Sequence, residues 1–121
     1  MNDLKKRTKE FALMVVRFYI TLPKTTEAQV LGKQMLRSGT SVGAHYREAD
    51  HACSDAEFTS KLEGGLQELG ETEYWLELLE EAEIVPSDQV KGIKQEVCEL
   101  TAILITCINN VKKRKRENGK E

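Results

Sequence analysis

The chain has 121 residues, and its 18 Lys and Arg against 20 Asp and Glu give a formal net charge of −2, with 40% apolar residues. These values are typical of one compact domain. No apolar run approaches the ~18 residues that a membrane-spanning helix needs, and the N-terminal residues lack the apolar stretch of a secretion signal, so we expect a cytoplasmic protein without membrane contact.

Apolar residues recur at helical spacing in four long segments separated by three short breaks, and no segment alternates as a strand does. The first helix is predicted over about residues 3–21, because Pro23 lacks an amide hydrogen and disfavours helical geometry in the residue before it. Residues 26–29 (Thr-Glu-Ala-Gln) have the form of a capping box, which predicts a second helix over about 26–52.

A second capping box, Ser-Asp-Ala-Glu at 54–57, opens the third segment. The helix that follows is predicted over 55–83, where it meets the break at Pro86. The fourth helix is predicted over 88–116, which makes residues 1–116 a single helical domain. We expect 117–121 to be a flexible C-terminal tail.

Short connections make successive helices antiparallel neighbours, so the sequence predicts an all-α, up-down-up-down antiparallel four-helix bundle. This topology places the N-terminus, the turn near 52–54 and the C-terminus at one end. The second helix contains a run of small residues at 38–44, which lowers intrinsic helix stability but lets another helix approach closely. We interpret the run as tight packing within the bundle rather than as a ligand contact.

The first and fourth helices are apolar over more of their circumference than one core stripe requires. A second apolar face left in water would form a large exposed patch, so we predict oligomerisation. The alternative is that the helices are rotated so that both faces are shielded within one chain. Tyr74 and Trp75 are adjacent in the third helix and point about 100° apart, so one side chain can pack in the core while the other faces a neighbouring subunit or solvent. The interface candidates are Tyr19, Ile20, Trp75, Ile105 and Ile108.

Several segments together are similar to a known family: 22–24 (Leu-Pro-Lys), 31–49 (LGKQMLRSGTSVGAHYREA), Phe58 with 61–62 (Lys-Leu), and 71–76 (ETEYWL). They resemble the bacterial four-helix bundle family named after proteins encoded by intervening sequences in 23S ribosomal RNA genes. The resemblance covers nearly the whole chain and implies an up-down four-helix bundle assembled as a ring-shaped homopentamer. It implies little about activity. A distant relative, the accessory protein of diversity-generating retroelements, partners a reverse transcriptase and nucleic acid.

The chain departs from the family's usual pattern at two places. His45 stands where the motif usually has Asn, which puts any amide-specific contact there in doubt. Gly64, Gly65 and Gly70 stand where the third helix usually carries alanines. Such glycines fit either closer helix packing or a looser helix.

Charges are strongly segregated along the chain, with ten acidic residues and one basic residue in 54–83 but six basic and two acidic residues in 112–121. Antiparallel topology brings the start of the first helix near the end of the fourth, so one bundle end should be basic. Basic clusters bind nucleic-acid phosphates with little sequence preference, and a ring repeats them. The alternative is that these cations complement the helix dipole and aid solubility. The nucleic-acid-binding candidates are Lys5, Lys6, Arg7, Lys9, Lys112, Lys113, Arg114, Lys115 and Arg116.

Most glutamates of the third helix should form a solvated face. Glu68 and Glu71 lie close to its core stripe. Partly buried charges need partners. We therefore predict that one of these carboxylates pairs with Arg37 or Arg47 of the second helix.

The sequence offers little material for catalysis. A di-iron bundle needs two Glu-x-x-His pairs on different helices, and the only such pair is Glu48 with His51. Together with His45 and Cys53 it could form at most an adventitious metal site, and ordinary polar or interface residues are the better account. We expect no cofactor and no enzymatic activity.

The favoured interpretation is a non-enzymatic, oligomeric adaptor whose basic surface meets RNA, DNA or a nucleic-acid-processing protein. The alternative is a purely structural protein–protein scaffold whose basic tail binds nothing.

Overall fold

The computed structural model describes residues 2–119, which form four α-helices and contain no strand. The helices are α1 (Asn2–Ile20), α2 (Thr26–Asp50), α3 (Asp55–Glu81) and α4 (Ser87–Gly119). The predicted all-α fold with four helices is confirmed. None of these helices carries an apolar stretch long enough to cross a bilayer.

The predicted helix boundaries lie within two residues of those observed, except at the end of α4. This helix continues to Gly119 instead of ending at residue 116. Residues 1, 120 and 121 lie outside the described range, and the last two belong to the predicted tail. Consecutive helices pack against each other and α4 closes the bundle against α1, so α1 and α3 occupy opposite corners.

Side-chain oxygens cap the starts of α2 and α3. The Ser54 hydroxyl accepts the amide hydrogen of Glu57 at 3.1 Å, as the sequence predicts. At α2 the N-cap is Thr25, whose hydroxyl accepts the amide hydrogen of Ala28. The prediction that Thr26 caps this helix is therefore wrong by one residue.

Gln29, the other member of the predicted capping box, bonds elsewhere. Its side chain donates a hydrogen bond to the Pro23 carbonyl at 2.8 Å and accepts one from the Tyr19 hydroxyl at 2.7 Å. Gln29 thus ties the end of α1 and the connecting loop to α2. Sequence reasoning missed this contact because it joins residues across the turn.

The buried core is one apolar column to which all four helices contribute. α4 contributes a buried seam of Val90, Ile93, Val97, Leu100, Leu104, Ile108 and Val111. Ile108 belongs to this seam and is 5% exposed, so its predicted place at an oligomer interface is wrong. It faces the core because it lies one turn after Leu104 on the same stripe. Ile105 remains on the outer side of α4, 44% exposed.

The exposed apolar surface is largest on α1, where Ile20 is 65% and Leu13 is 40% exposed. Tyr19 is half-buried and packs against the core. On α3 the two adjacent aromatic residues separate, as a turn of 100° per residue requires. Trp75 is half-buried against the core, and Tyr74 is 54% exposed. The aromatic side chain that α3 presents to solvent is therefore Tyr74 rather than the predicted Trp75.

The closest approach between α1 and α2 occurs at glycines of the small-residue run. A Cβ atom added at Gly39 would lie 2.8 and 2.9 Å from the two methyl carbons of Val15. One at Gly43 would lie 3.3 Å from the Thr8 hydroxyl. Val15 and Thr8 are fully buried, so the predicted packing role of the run is confirmed.

Substitution of Gly39 tests this close approach. We expect Gly39→Ala to destabilise the fold by about 1–3 kcal/mol, because Val15 is β-branched and has no room to turn away. The matched control is Gly92→Ala in α4, where nothing lies within 4 Å of an added Cβ atom. That variant should be about 0.5–1 kcal/mol more stable than the natural protein. Urea unfolding measures both, and a Gly39→Ala protein of undiminished stability would contradict the packing argument.

Ion pairs join α4 to its two neighbours. The Lys94 ammonium lies 3.1 Å from the Glu80 carboxylate of α3. Hydrogen bonds from Ser87 and Lys94 hold the pKa of Glu80 below its ordinary value of 4.5. Hydrogen bonds from Gln95 and Arg7 lower the pKa of Glu99 in the same way. Both carboxylates therefore favour their charged form in the folded state.

Lowering the pH should destabilise the fold, because the carboxylates of Glu80 and Glu99 become protonated. Their pKa values are lower in the folded than in the unfolded chain, so the stability they contribute is present above pH 4.5 and is lost as pH falls through the folded-state values. We expect the melting temperature to fall between about pH 5 and about pH 3. Glu80→Gln should show a smaller fall, whereas the control Glu81→Gln should keep the natural profile. Identical profiles for all three proteins would refute a role for the Glu80 pair.

Candidate nucleic-acid interface

The termini of the helices meet at one end of the bundle, as the predicted topology requires. Leu4 of α1, Asp55 at the start of α3 and Val111 of α4 line one surface cavity of about 440 Å³. Most predicted basic residues lie at this end. Lys5, Lys6 and Lys9 are exposed on the first turns of α1, and residues 112–116 are exposed on α4.

α4 continues beyond the end of the bundle. Arg114 is level with Asp55, the first residue of α3, and Val111 is the last buried residue of α4. Every described side chain after Val111 is exposed, from residue 112 to residue 118. We call residues 112–116 the basic arm, because their side chains are all exposed and the part of α4 that follows Arg114 extends past the start of α3.

Cations of the basic arm divide between two sides of the helix. Arg114 donates a hydrogen bond to the Asp55 carboxylate at 3.2 Å. At 100° per residue the other four occupy the opposite half of the circumference. Within residues 2–119 these four form no ion pair, and three of them line one shallow groove with Asn109. The four unpaired cations are Lys112, Lys113, Lys115 and Arg116.

Arg7 does not belong to this free basic surface. Its guanidinium donates two hydrogen bonds to Glu96 at 2.8 and 3.0 Å and one to Glu99 at 2.6 Å. These bonds raise the pKa of Arg7 further above its ordinary value. Arg7 therefore joins α1 to α4, and its charge is already paired within the fold. A signal was present in the sequence, since Glu96 and Glu99 lie one turn apart on a helix otherwise poor in acids.

The predicted ion pair between α2 and α3 forms at Arg37. Its Nη1 atom lies 3.4 Å from Glu68, and its Nη2 atom bonds Glu71. Arg47, the other candidate, is exposed and has no ion-pair partner among the described residues. Arg37 reaches both carboxylates because it lies one residue before Ser38, which faces α3 directly.

His45 occupies space that Gly64 leaves open. A Cβ atom at residue 64 would lie 2.9 Å from the imidazole ring. The imidazole nitrogens lie 3.7 Å from Glu68 and 3.8 Å from Glu48, which is too long for hydrogen bonds. The Nδ1 atom is buried without a hydrogen-bond partner. Gly64 thus permits closer packing of α2 on α3, one of the two outcomes left open by the sequence.

The residues considered for an adventitious metal site do not come together. His51 and Cys53 are exposed near the α2–α3 turn, while His45 packs along α3. Across residues 2–119, no group of three or more His, Cys, Asp or Glu side chains could hold a metal ion.

Comparison with known proteins gives one family. The chain matches the model of the 23S rRNA-intervening sequence protein family over residues 2–106. It is also similar to a crystal structure of a protein with unknown function from the S23 ribosomal protein family of Bacteroides thetaiotaomicron. The two share 43% sequence identity with a TM-score of 0.81, and the alignment covers 87% of this chain and 97% of that one. No curated protein matches the chain significantly. The family match spans all four helices and ends before the basic arm, and the chain belongs to the 23S rRNA-intervening sequence protein family.

Proposed function

We propose that this protein is a cytoplasmic, non-enzymatic homo-oligomer that acts as an adaptor and binds the phosphates of RNA or DNA through the basic arm. The observation that carries the proposal is the projection of α4 beyond the bundle, with four exposed and unpaired cations on one half of the helix. Structural ion pairs neutralise Arg7 and Arg114 but leave these four available.

The distribution of charge supports contact through this end of the molecule. Phosphates that meet the arm displace condensed counterions, which gives affinity without sequence preference. The side of the bundle formed by α3 is strongly acidic and repels phosphate. Lys5, Lys6 and Lys9 lie at the basic end and extend the positive surface beyond the arm.

Oligomerisation would raise the overall affinity for nucleic acid above that of a single weakly binding arm. The family resemblance favours a homopentamer, and a ring of parallel copies places all arms on one rim. Several arms that reach the same strand then bind with an effective concentration set by their spacing, so avidity exceeds the affinity of one arm. The competing function is a scaffold in which the arm only complements the α4 dipole and keeps the protein soluble.

Neutralising the arm tests the proposal. We expect the variant K112Q/K113Q/R116Q to bind generic RNA and duplex DNA more weakly and with a flatter salt dependence than the natural protein. Each lost phosphate contact should reduce the logarithmic salt slope by roughly 0.7 on single strands and roughly 0.9 on duplex. Gel-shift titrations from low to physiological salt measure both quantities.

The matched control removes the same number of exposed cations elsewhere, in K24Q/K33Q/K91Q, and should keep the natural affinity and slope. Truncation after Val111 should weaken binding as the arm variant does while leaving the bundle folded, because this is the last buried residue of α4. Equal binding by the arm variant and the natural protein would refute the arm as the contact. A natural protein that binds nothing at low salt would establish the scaffold.

The role assigned to Arg7 gives a separate prediction. Arg7→Gln should lower the melting temperature by about 2–5 °C, because it removes paired hydrogen bonds between α1 and α4 at a partly exposed site. Its nucleic-acid affinity should stay within about twofold of the natural value, since a paired guanidinium adds no free charge. The control Lys5→Gln should leave melting unchanged. A large loss of affinity in Arg7→Gln at unchanged melting temperature would restore Arg7 to the interface.

A further inference from the structure

We propose that the surface cavity at the basic end binds one unpaired nucleobase of a single strand of RNA or DNA whose phosphates lie along the basic arm. The favoured ligand is a single strand rather than a duplex, because a paired base must first lose its partner and its stacking before it can enter the cavity. This inference rests on the proposed nucleic-acid contact of the arm and names the kind of strand and the place where a base is held.

Side chains from all four helices line the cavity. Its apolar walls are Leu4 of α1, Tyr46 of α2, Phe58 of α3 and Val111 of α4. Its volume of about 440 Å³ lies within the range of roughly 300–1,000 Å³ that is typical of small-molecule sites. The cavity therefore has room for the ring system of a purine or a pyrimidine.

Phe58 is the aromatic wall on which a base can stack. Its side chain is half-buried, because it packs against the core and also lines the cavity. Every base has a flat aromatic face, so stacking on a ring of this kind holds a base of any sequence.

Tyr46 forms a buried and uncharged wall of the cavity, since its side chain is only 5% exposed. Burial, together with the nearby Asp50 and Cys107, raises the pKa of the Tyr46 phenol above its ordinary value of 10. The phenol therefore stays neutral at physiological pH. A neutral wall suits a base, which carries no charge, better than it suits a phosphate.

The polar groups of the cavity also favour a base over a phosphate. Asp50 and Asp55 line it together with Arg114, and the last two form an ion pair. The Asp50 carboxylate is exposed and has no ion-pair partner among residues 2–119. It repels phosphate but accepts hydrogen bonds from the N–H groups of a base edge. Asn110, also exposed, adds an amide that both donates and accepts.

The basic arm begins at the edge of the cavity. α4 contributes Asn110, Val111 and Arg114 to the cavity. Lys113 and Lys115 lie on either side of Arg114, each about 100° away around the helix, and both are exposed. Lys113 follows Asn110 by about 4.5 Å along the helix axis. A strand whose phosphates contact these lysines therefore passes the mouth of the cavity.

This division of charge matches the chemistry of a single strand. The arm presents four unpaired cations outside the cavity, and the cavity itself carries an unpaired carboxylate. A single strand presents phosphates to the arm, and its bases are free to turn away from them, to stack on aromatic rings and to form hydrogen bonds through their edges. In a duplex the same edges are already paired.

Strands with and without bases separate the two contacts. The probes are a single-stranded oligonucleotide of mixed sequence and an abasic strand of the same length, which keeps the phosphates and lacks the bases. We expect the natural protein to bind the base-bearing strand about fivefold or more tightly than the abasic strand, which is the contribution of one stacked base. Gel-shift titrations at one low salt concentration measure both affinities.

Two substitutions in the cavity should abolish this difference. Phe58→Leu keeps an apolar side chain against the core but removes the aromatic face, and Ala52→Leu places a larger side chain in the cavity. Each variant should bind the base-bearing strand only as tightly as the abasic strand. Affinity for the abasic strand should stay at the natural value, because the arm is intact. The ratio of single-strand to duplex affinity should fall in both variants.

The matched control is Tyr74→Leu. It removes an exposed aromatic ring from the same helix at a position outside the cavity, so it should keep the natural preference for bases. Circular dichroism checks that every variant is folded. Ala52 lies between α2 and α3 rather than within a helix, so Ala52→Leu decides the question if Phe58→Leu does not fold.

Cys53 reports directly on whether the cavity is occupied. It is exposed and lines the cavity, whereas Cys98 is exposed in a groove at the start of α4. We expect a saturating base-bearing strand to slow the alkylation of Cys53 by the neutral reagent iodoacetamide and to leave Cys98 unaffected. The abasic strand should protect Cys53 much less. Mass spectrometry of the digested protein measures both thiols.

The outcomes distinguish the cavity from the arm. Equal affinity of the natural protein for base-bearing and abasic strands overturns the cavity as a base site, while the arm remains the contact. A preference for bases that persists in both cavity variants also overturns it, because the base is then held elsewhere, and so does full alkylation of Cys53 in the saturated complex. A natural protein that binds neither strand at low salt overturns the proposed function and this inference with it.

Discussion

The close packing of α1 on α2 is the constraint on which the rest of the structure depends. Gly39 admits Val15 to the backbone of α2, and the adjacent Ser38 faces α3. One turn of α2 therefore sets the heights of both neighbouring helices. This register aligns the exposed residues of α1 with those of α3. On the other side of α3, its first residue Asp55 lies level with Arg114, so that the rest of α4 extends past the start of α3.

At the basic end, some of the positive charges counted in the sequence are paired within the fold and are not free to bind a ligand. The candidate set contained nine cations, but Arg7 is held by two glutamates of α4 and Arg114 by Asp55. Ion pairs within the fold thus leave seven of the nine cations unpaired, four of them in the arm and three on α1. The acidic side chains of α3 lie along the side of the bundle, away from the arm.

The family match concerns the helical bundle and does not extend to the basic arm. The match to the 23S rRNA-intervening sequence protein family and the similarity to the Bacteroides thetaiotaomicron structure concern the bundle itself. The arm begins after the matched residues, so its function depends on the chemistry of this chain.

The sequence by itself determined the four helices, because apolar periodicity, prolines and capping residues act within a few positions of the chain. It also determined the basic end, since antiparallel topology follows from short connections. Only the tertiary structure decided how each helix is rotated. Where apolar residues cover more than one stripe, spacing alone cannot say that Ile108 turns inward and Tyr74 outward. The partners of Arg7 lie 89 and 92 positions away, and such pairs form only when packing brings two helices side by side.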